Sequence, residues 1–552
     1  MTSIPRTLRV DERDNVLVAL QDLAQGESVE TFLGSLSLNA NIPAKHKFNI
    51  EPLQKGQPIV MYGVTVGQAS TTIPAGSLLT QANVQHATDE YRLGEAQIKW
   101  KQPDINAFAG QHFMGFRRKD GQVGTRNYWL VIPLVFCENK NVSVLKEILL
   151  KGLGYEKSHP YQVDLHSLIE LYKRGESASS LLKTNILTAG EEAKSNRIFP
   201  NVDGIKFLTH QGGCGGTRED SDMLCRLLAG YITHPNVAGA TVLSLGCQNA
   251  QIQILKEAIS TLDPNFEKPV YYLEQQASRS VPSYIEDAVR RTFVGLGIAD
   301  KHQRAAFPLA ELSLGLECGG SDGFSGLSAN PTVGAVSDLL VSLGGKAILA
   351  EFPELNGVEQ ELINRCETEQ LAEKFTQLMR TYASRAEAVG SGFDMNPSPG
   401  NIKDGLITDA MKSAGAAKKG GRSPIRDVLD YTEPARKAGL NLLCTPGNDV
   451  ESTTGLAGSG ANLIVFTTGL GTPTGNPIVP VIKVSSNHKL SQRMADIIDW
   501  DCGDIIEGKQ SIEQMAQALL QYMISVASGK QQTKAEGLEQ DDFIPWKRGI
   551  SL

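Results

Sequence analysis

Four glycine-rich loops each follow an apolar run, and each carries side chains able to hold anions, metals or protons. They are FLTHQGGCGGTRED (His210, Gln211, Cys214, Thr217, Arg218), VLSLGCQNAQ (Cys247, Gln248, Asn249), LGLECGGSDGFSG (Glu317, Cys318, Ser321, Asp322) and LLCTPGNDVESTTG (Thr445, Asn448, Asp449). Glycine permits positive φ and lets backbone N–H groups approach a ligand. In open α/β sheets, ligands bind beyond the carboxyl ends of the strands. Convergence of the four loops would make an anion-binding pocket that also bears thiolates. Taken singly, a cysteine after a strand is usually a small buried hydrophobe, and a glycine loop is usually a turn. Glycine beside cysteine at three strand ends weighs against that bland reading for Cys214, Cys247 and Cys318. Cys225, Cys366, Cys444 and Cys502 lack the setting and read as structural.

Two further segments offer ligands. Arg126 and Asn127, in GQVGTRNY, precede a strand, and arginine presents a bidentate fork to a carboxylate. A surface or capping pair is the competing reading. His46 lies between two lysines in AKHKFNI, where a solvated basic turn is the alternative.

The elements that must position these groups follow from the pattern. Residues 1–92 show short apolar runs broken by glycine turns, as in VLVAL, PIVMYG and TVGQA, which predicts a small β domain. Residues 93–112 read as a linker. From Phe113 onward strands alternate with helices, which predicts α/β layers with largely parallel sheets. Two subdomains are expected, 113–330 and 331–552, with a C-terminal tail whose Phe543, Ile544 and Trp546 could dock on the body or on a neighbouring subunit. The interval from Leu145 to Pro200 has helical segments but weak strand signals and reads as an insertion.

Composition narrows the function. The 552 residues are 41% apolar and 21% charged, with a formal net charge of −8, which argues against a nucleic-acid binder. The start, MTSIPRTLRVDERDN, lacks the apolar core of a signal peptide, and no run approaches membrane-spanning length, so a cytoplasmic protein without a membrane partner is expected. Eight widely spaced cysteines without a CxxC pair fit neither a disulfide framework nor a zinc ribbon. There is no dinucleotide fingerprint behind a strand and no phosphate-loop motif.

Taken together, the segments resemble the altronate/galactarate dehydratase family over nearly the whole chain. DNVLVALQDLAQGE, AKHKFNI and MYGVTVGQA match its N-terminal SAF-type β-clip. GFRRKDGQVGTRNYWLVIP, HQGGCGG, LSLGCQNAQ, LECGGSDGFSGLSANPTVG, EFPELNGVEQEL, NPSPGN, CTPGNDVESTTGLAGSGANLIVFTTGLGTPTG and VPVIKVSSN follow in family order. The altronate branch is closer, judging by the HKF turn and the stretch from LECGGSDG to NPSPGN. One departure concerns the end of the small domain. Some members carry several histidines there, whereas this chain reads AGSLLTQANVQHA and has His86 alone.

The resemblance implies loss of water from a sugar acid to give a 2-keto-3-deoxy acid, with a divalent metal, usually iron(II), manganese(II) being the alternative. Altronate breakdown to 2-keto-3-deoxygluconate within hexuronate catabolism is the expected step, and a homo-oligomer the expected assembly. A base must take the C2 proton and an acid must assist the C3 hydroxyl. His210 is the first candidate because its unperturbed pKa lies near ~6.5, with Glu317 and Asp449 next. Expected metal ligands are His46, Cys214, Cys247 and Cys318. Expected substrate contacts are Arg126, Asn127, Gln211, Gln248, Asn249, Ser321, Asp322, Thr445 and Asn448. Galactarate dehydration is the alternative within the same chemistry. A thiol or iron–sulfur redox protein and a non-catalytic sugar-acid binder are the alternatives outside it.

Overall fold

The computed structural model describes residues 5–157, 161–190 and 196–551. Its N-terminal part is built of short antiparallel strands. Thr7–Leu8, Val16–Ala19 and Lys47–Asn49 form one sheet, Ser28–Thr31 and Gly34–Ser37 a hairpin, and Pro58–Met61, Val64–Ala69 and Val84–Gln85 a third group. One side packs on its own core of Leu17, Ile42 and Phe48. The other side, with Val18, Ile59 and Val66, merges with Leu314, Val333 and Met411 of the C-terminal part. The small domain is therefore seated on the large one by a shared apolar core.

Alternating strands and helices then build two parallel sheets. The first contains β1 (Tyr128–Pro133), β2 (Gly204–Phe207), β3 (Val237–Ser244) and β4 (Val270–Glu274) in the order β2-β1-β3-β4, all parallel. Helices α1 (Asn139–Leu153), α2 (Arg218–Thr233), α3 (Ile252–Leu262) and α4 (Val281–Ala299) cover it. Every residue of β1, YWLVIP, is buried, as expected for a strand covered on both faces. The second sheet contains β5 (Ser313–Cys318), β6 (Lys346–Leu349), β7 (Ile425–Leu429), β8 (Gly439–Leu443), β9 (Leu463–Thr468), β10 (Val481–Ser485) and β11 (Trp500–Asp501). Its order is β7-β8-β6-β5-β9-β10-β11, again all parallel. Helices α5 (Ala329–Ser342), α6 (Asp409–Ala416) and α7 (Asp449–Gly458) complete the part that forms the site. From β5 the chain crosses to β6 on one side, and from β9 to β10 on the other. The tips of β5 and β9 therefore flank a topological switch point, where α/β sheets open a crevice.

Two expectations shift. The seven-stranded sheet begins at Ser313, so position 330 lies inside its first strand–helix unit and not at a break between sheets. The stretch after α1 carries two helices, Leu165–Lys173 and Ala178–Lys183, and a small hairpin of Tyr161–Val163 with Leu187–Ala189. Sequence periodicity missed that hairpin because none of its six residues is buried. Among the described residues no helix is long and apolar enough to cross a membrane.

His86, the histidine left at the end of the small domain, pairs with Asp409 at the start of α6, and Asn356 holds the other carboxylate oxygen at 2.7 Å. The bond to Asp409 raises the imidazole pKa against a smaller opposing effect of burial. A raised folded-state pKa stabilises the protein below the unfolded value of ~6.5 and loses that contribution as pH rises through the folded value. The thermal midpoint of the native chain should therefore exceed that of His86→Gln by more at about pH 6 than at about pH 9. Equal differences at both pH values would show that the pair does not brace the small domain.

Candidate functional site

The tips of β5, β6, β8 and β9 bring together a buried set of acids, a thiol and two lysines. Glu317 and Cys318 end β5. Glu351 and Glu354 come from the EFPE turn just beyond β6. The Cys318 N–H donates to Glu351 Oε2 at 3.0 Å, and Cys318 Sγ lies 3.1 Å from Glu354 Oε2. Lys419 Nζ donates to Glu351 Oε2 at 2.6 Å, and Lys412 Nζ pairs with Glu354 Oε1 at 2.7 Å. Ser452 Oγ donates to Glu317 Oε2 at 2.7 Å. Thr445, just beyond β8, accepts the Glu351 N–H at 2.8 Å and meets Ser452 Oγ at 2.9 Å. Asn448 caps α7 by accepting the N–H groups of Val450 and Glu451, which places Asp449 against Gly319.

The backbone is strained at two of these positions. Glu351 has φ +67° and Lys45 has φ +76°, a left-handed conformation that costs a non-glycine residue of order 1–3 kcal/mol. Strain of that kind persists where the surroundings enforce it. Lys45 lies in the HKF turn of the small domain, which presses between two loops of the large one. A Cβ on Gly323 would stand 2.3 Å from Lys45 O, and one on Gly405 2.5 Å from the same atom. The turn delivers Lys45 Nζ to Asp322 Oδ2 at 3.0 Å and to Asp404 Oδ1 at 3.1 Å. Asp322 is fully buried and also accepts from Ser325, Ser486 and Asn487.

The electrostatics of the set are unbalanced. Glu317, Glu351, Glu354 and Asp449 outnumber Lys412 and Lys419. Burial, reinforced by the Glu351 charge, pushes Glu317 well above the usual carboxylate range. Glu351 is raised by burial and by Glu354, while at Glu354 the two lysines outweigh burial and lower it. Burial and the same two glutamates push Asp449 up to about 7. Oε1 of Glu317 and Oε1 of Glu351 are both buried without a hydrogen-bond partner. Such a set either retains protons or takes up a cation. Cys318, Glu351 and Glu354 each offer one ligand atom, and these atoms lie within 4.8 Å of one another. The donors fit a divalent ion of borderline softness.

The structure divides the sequence-derived residues among three places. Glu317, Cys318, Ser321, Asp322, Thr445, Asn448 and Asp449 gather in the site just described. His46 lies at its edge, half-buried with Nδ1 3.2 Å from Ala44 O, and takes no part in the acid–thiol set. Its neighbour Lys45 is the one that reaches in. His210, Gln211, Cys214, Cys247, Gln248 and Asn249 sit instead at the tips of the first sheet. His210 is not a free base. Its Nε2 lies 2.7 Å from Pro133 O and its Nδ1 accepts the Gly212 N–H, while burial pushes its pKa to about 4. Gln248 is likewise a loop brace, bonded to Gly246 N, Ser244 Oγ and Ala250 O. Arg126 and Asn127 lie at the start of β1, about 20 Å along the strands from the tips. The Arg126 fork closes on Glu536 at 2.8 and 3.0 Å, and Asn127 is consumed by Arg118, Asn201 and Ala299. The fork of Arg126 and both amide hydrogens of Asn127 are thus engaged within the fold and away from the strand tips.

Comparisons with known proteins agree with the chain's layout. Residues 5–87 match the family described as altronate/galactarate dehydratase SAF domain. Residues 115–300 match D-galactarate dehydratase/altronate hydrolase, second domain, and residues 309–551 match D-galactarate/altronate dehydratase, C-terminal. Altronate dehydratase of Bacillus subtilis (strain 168) is 32% identical over 547 residues, 99% of each chain. Altronate dehydratase of Escherichia coli (strain K12) is 31% identical over 556 residues, again 99% of each. Galactarate dehydratase (L-threo-forming) of Escherichia coli (strain K12) is 30% identical over 531 residues, 95% of this chain and 93% of its own. With its three parts in family order and full-length relatives above 30% identity, this chain belongs to the D-galactarate/altronate dehydratase family.

Proposed function

We propose that the chain is a hydro-lyase that converts D-altronate to 2-dehydro-3-deoxy-D-gluconate and water at the tips of β5, β6, β8 and β9. The observation that carries the reading is the buried Cys318, Glu351 and Glu354 set, with Glu317 and two lysines packed against it. Cys318, Glu351 and Glu354 would hold a divalent ion, iron(II) first and manganese(II) second, and when bound it would act as a Lewis acid toward the substrate's carboxylate and hydroxyl oxygens. Lys412 and Lys419 place fixed positive charge where the carboxylate of the deprotonated sugar acid gains density. Glu317 takes the C2 proton. Asp449 protonates the C3 hydroxyl, which departs as water with the electrons of its C–O bond. The resulting enol regains a proton at C3 and becomes the 2-keto acid. Lys45, carried in by the small domain, closes the rim and orients Asp322.

Altronate is favoured over galactarate because both altronate-named relatives align over 99% of each chain. The test is an anaerobic assay with iron(II), in which semicarbazide traps 2-keto acid from altronate and from galactarate in parallel. Altronate should turn over, and a chelator should abolish the product. Galactarate turning over faster would move the substrate assignment. No keto acid from either would end the reading.

A further inference from the structure

Three of the eight cysteines are exposed, Cys137, Cys214 and Cys247, and the other five are buried. All three exposed thiols lie on one rim of the first sheet. Each follows the end of one strand, β1, β2 and β3 respectively, and β1 lies between the other two. The three loops are tied together by backbone bonds. Phe136 N–H donates to Gly212 O at 3.2 Å, and Ala250 N–H donates to Gly213 O at 3.1 Å. A Cβ on Gly213, which has φ +94°, would stand 2.0 Å from Leu134 O, so glycine is required for the Cys214 loop to lie this close to the β1 tip.

An exposed thiol is a reactive liability. Scattered exposure would call for no explanation, but here every exposed thiol of the chain falls on three bonded loops. Thiolates from three loops tied at their backbones are the ligand type that iron–sulfur clusters take. The surroundings suit such a group. Gln276 Nε2 lies 3.2 Å from Cys247 Sγ, and hydrogen bonds to sulfur tune cluster potentials. Glu138 Oε1 and Asn139 Oδ1, next along the chain from Cys137, are buried without a donor. Asn139 and Cys214 line a cavity of 440 Å³, which leaves room beside the rim.

We propose that the thiolates of Cys137, Cys214 and Cys247 hold an iron–sulfur cluster on the first sheet. It shares no residue with the Cys318 site. Each thiol releases its proton on ligation. Three thiolates leave one iron of a four-iron cluster open to water or another small oxygen ligand.

The test is anaerobic reconstitution of the full chain with ferrous iron and sulfide, followed by iron and acid-labile sulfide analysis and visible spectroscopy. The native chain should turn brown and retain roughly four irons and four sulfides. Cys137→Ser, Cys214→Ser and Cys247→Ser should each retain at least about tenfold less sulfide after desalting. Unchanged far-ultraviolet circular dichroism would show that they are folded. Cys318→Ser should keep the native sulfide content, which separates this site from the other. A colourless chain without labile sulfide, one zinc ion per chain, or a cluster indifferent to all three substitutions would overturn the proposal.

Discussion

Glu317→Gln should lower altronate turnover by roughly 10²–10⁴-fold while leaving the thermal midpoint unchanged or higher. The two effects have one cause. Glu317 is wholly buried, receives one hydroxyl bond from Ser452, and faces a second carboxyl group. Burying a carboxyl group with so few partners costs stability and raises its pKa, which makes the group, once ionised beside a bound cation, a stronger base toward C2. Glutamine has the same shape, keeps an oxygen for Ser452 and carries no charge to desolvate. It cannot accept a proton from C2. A structural acid would behave in the opposite way, losing stability and leaving turnover nearly intact. Thermal unfolding measured beside the keto-acid assay separates the two outcomes, and a variant with more than a tenth of native turnover would remove Glu317 from the mechanism.

Glu536→Gln should produce the largest loss of stability, about 3–5 kcal/mol. Arg126 and Glu536 are both buried and joined by two bonds, and Tyr128 donates a third to the same carboxylate at 3.2 Å. Burial alone would raise the Glu536 pKa, but the Arg126 charge and bonds hold it down to about 2. Neutralising the acid leaves a guanidinium charge in the interior without a counter-ion, facing the carbonyls of Thr125 and Val526 and a single neutral amide oxygen. The folded pKa lies below the unfolded ~4.3, so the native pair contributes fully above that value and is lost as pH falls toward 2. Denaturant titration at neutral pH should show the deficit, and at about pH 3 the variant and the native chain should draw closer. A variant of native stability would mean that the interior tolerates the lone arginine.

Much of the candidate site was legible in the sequence, for a physical reason. Glu317, Cys318, Ser321, Asp322, Thr445, Asn448 and Asp449 follow apolar runs, and parallel strands end on the same side of their sheet. The same rule, applied to KAILAEFPE, would have found Glu351 and Glu354, but that turn lacks the glycines used as the marker. Lys412 and Lys419 were hidden because AMKSAGAAKKGG reads as the solvated end of a helix, and both enter the interior only through tertiary packing. What the strand-end rule does not contain is which sheet a strand joins. It therefore placed His210, Cys214 and Cys247 with Glu317, although β5 belongs to another sheet. His210 read as a base because its type suits the role, and only coordinates reveal that both nitrogens are engaged by the backbone.

The bond between Arg126 and Glu536 spans 410 positions of sequence. Synthesis at ~5–20 residues per second separates the appearance of the two partners by roughly 20–80 s. Throughout that interval the first sheet can assemble its strands, yet its entry arginine has no counter-ion. Newborn chains should therefore pass through a protease-sensitive stage on the ribosome, and it should end only when the final helical turn emerges.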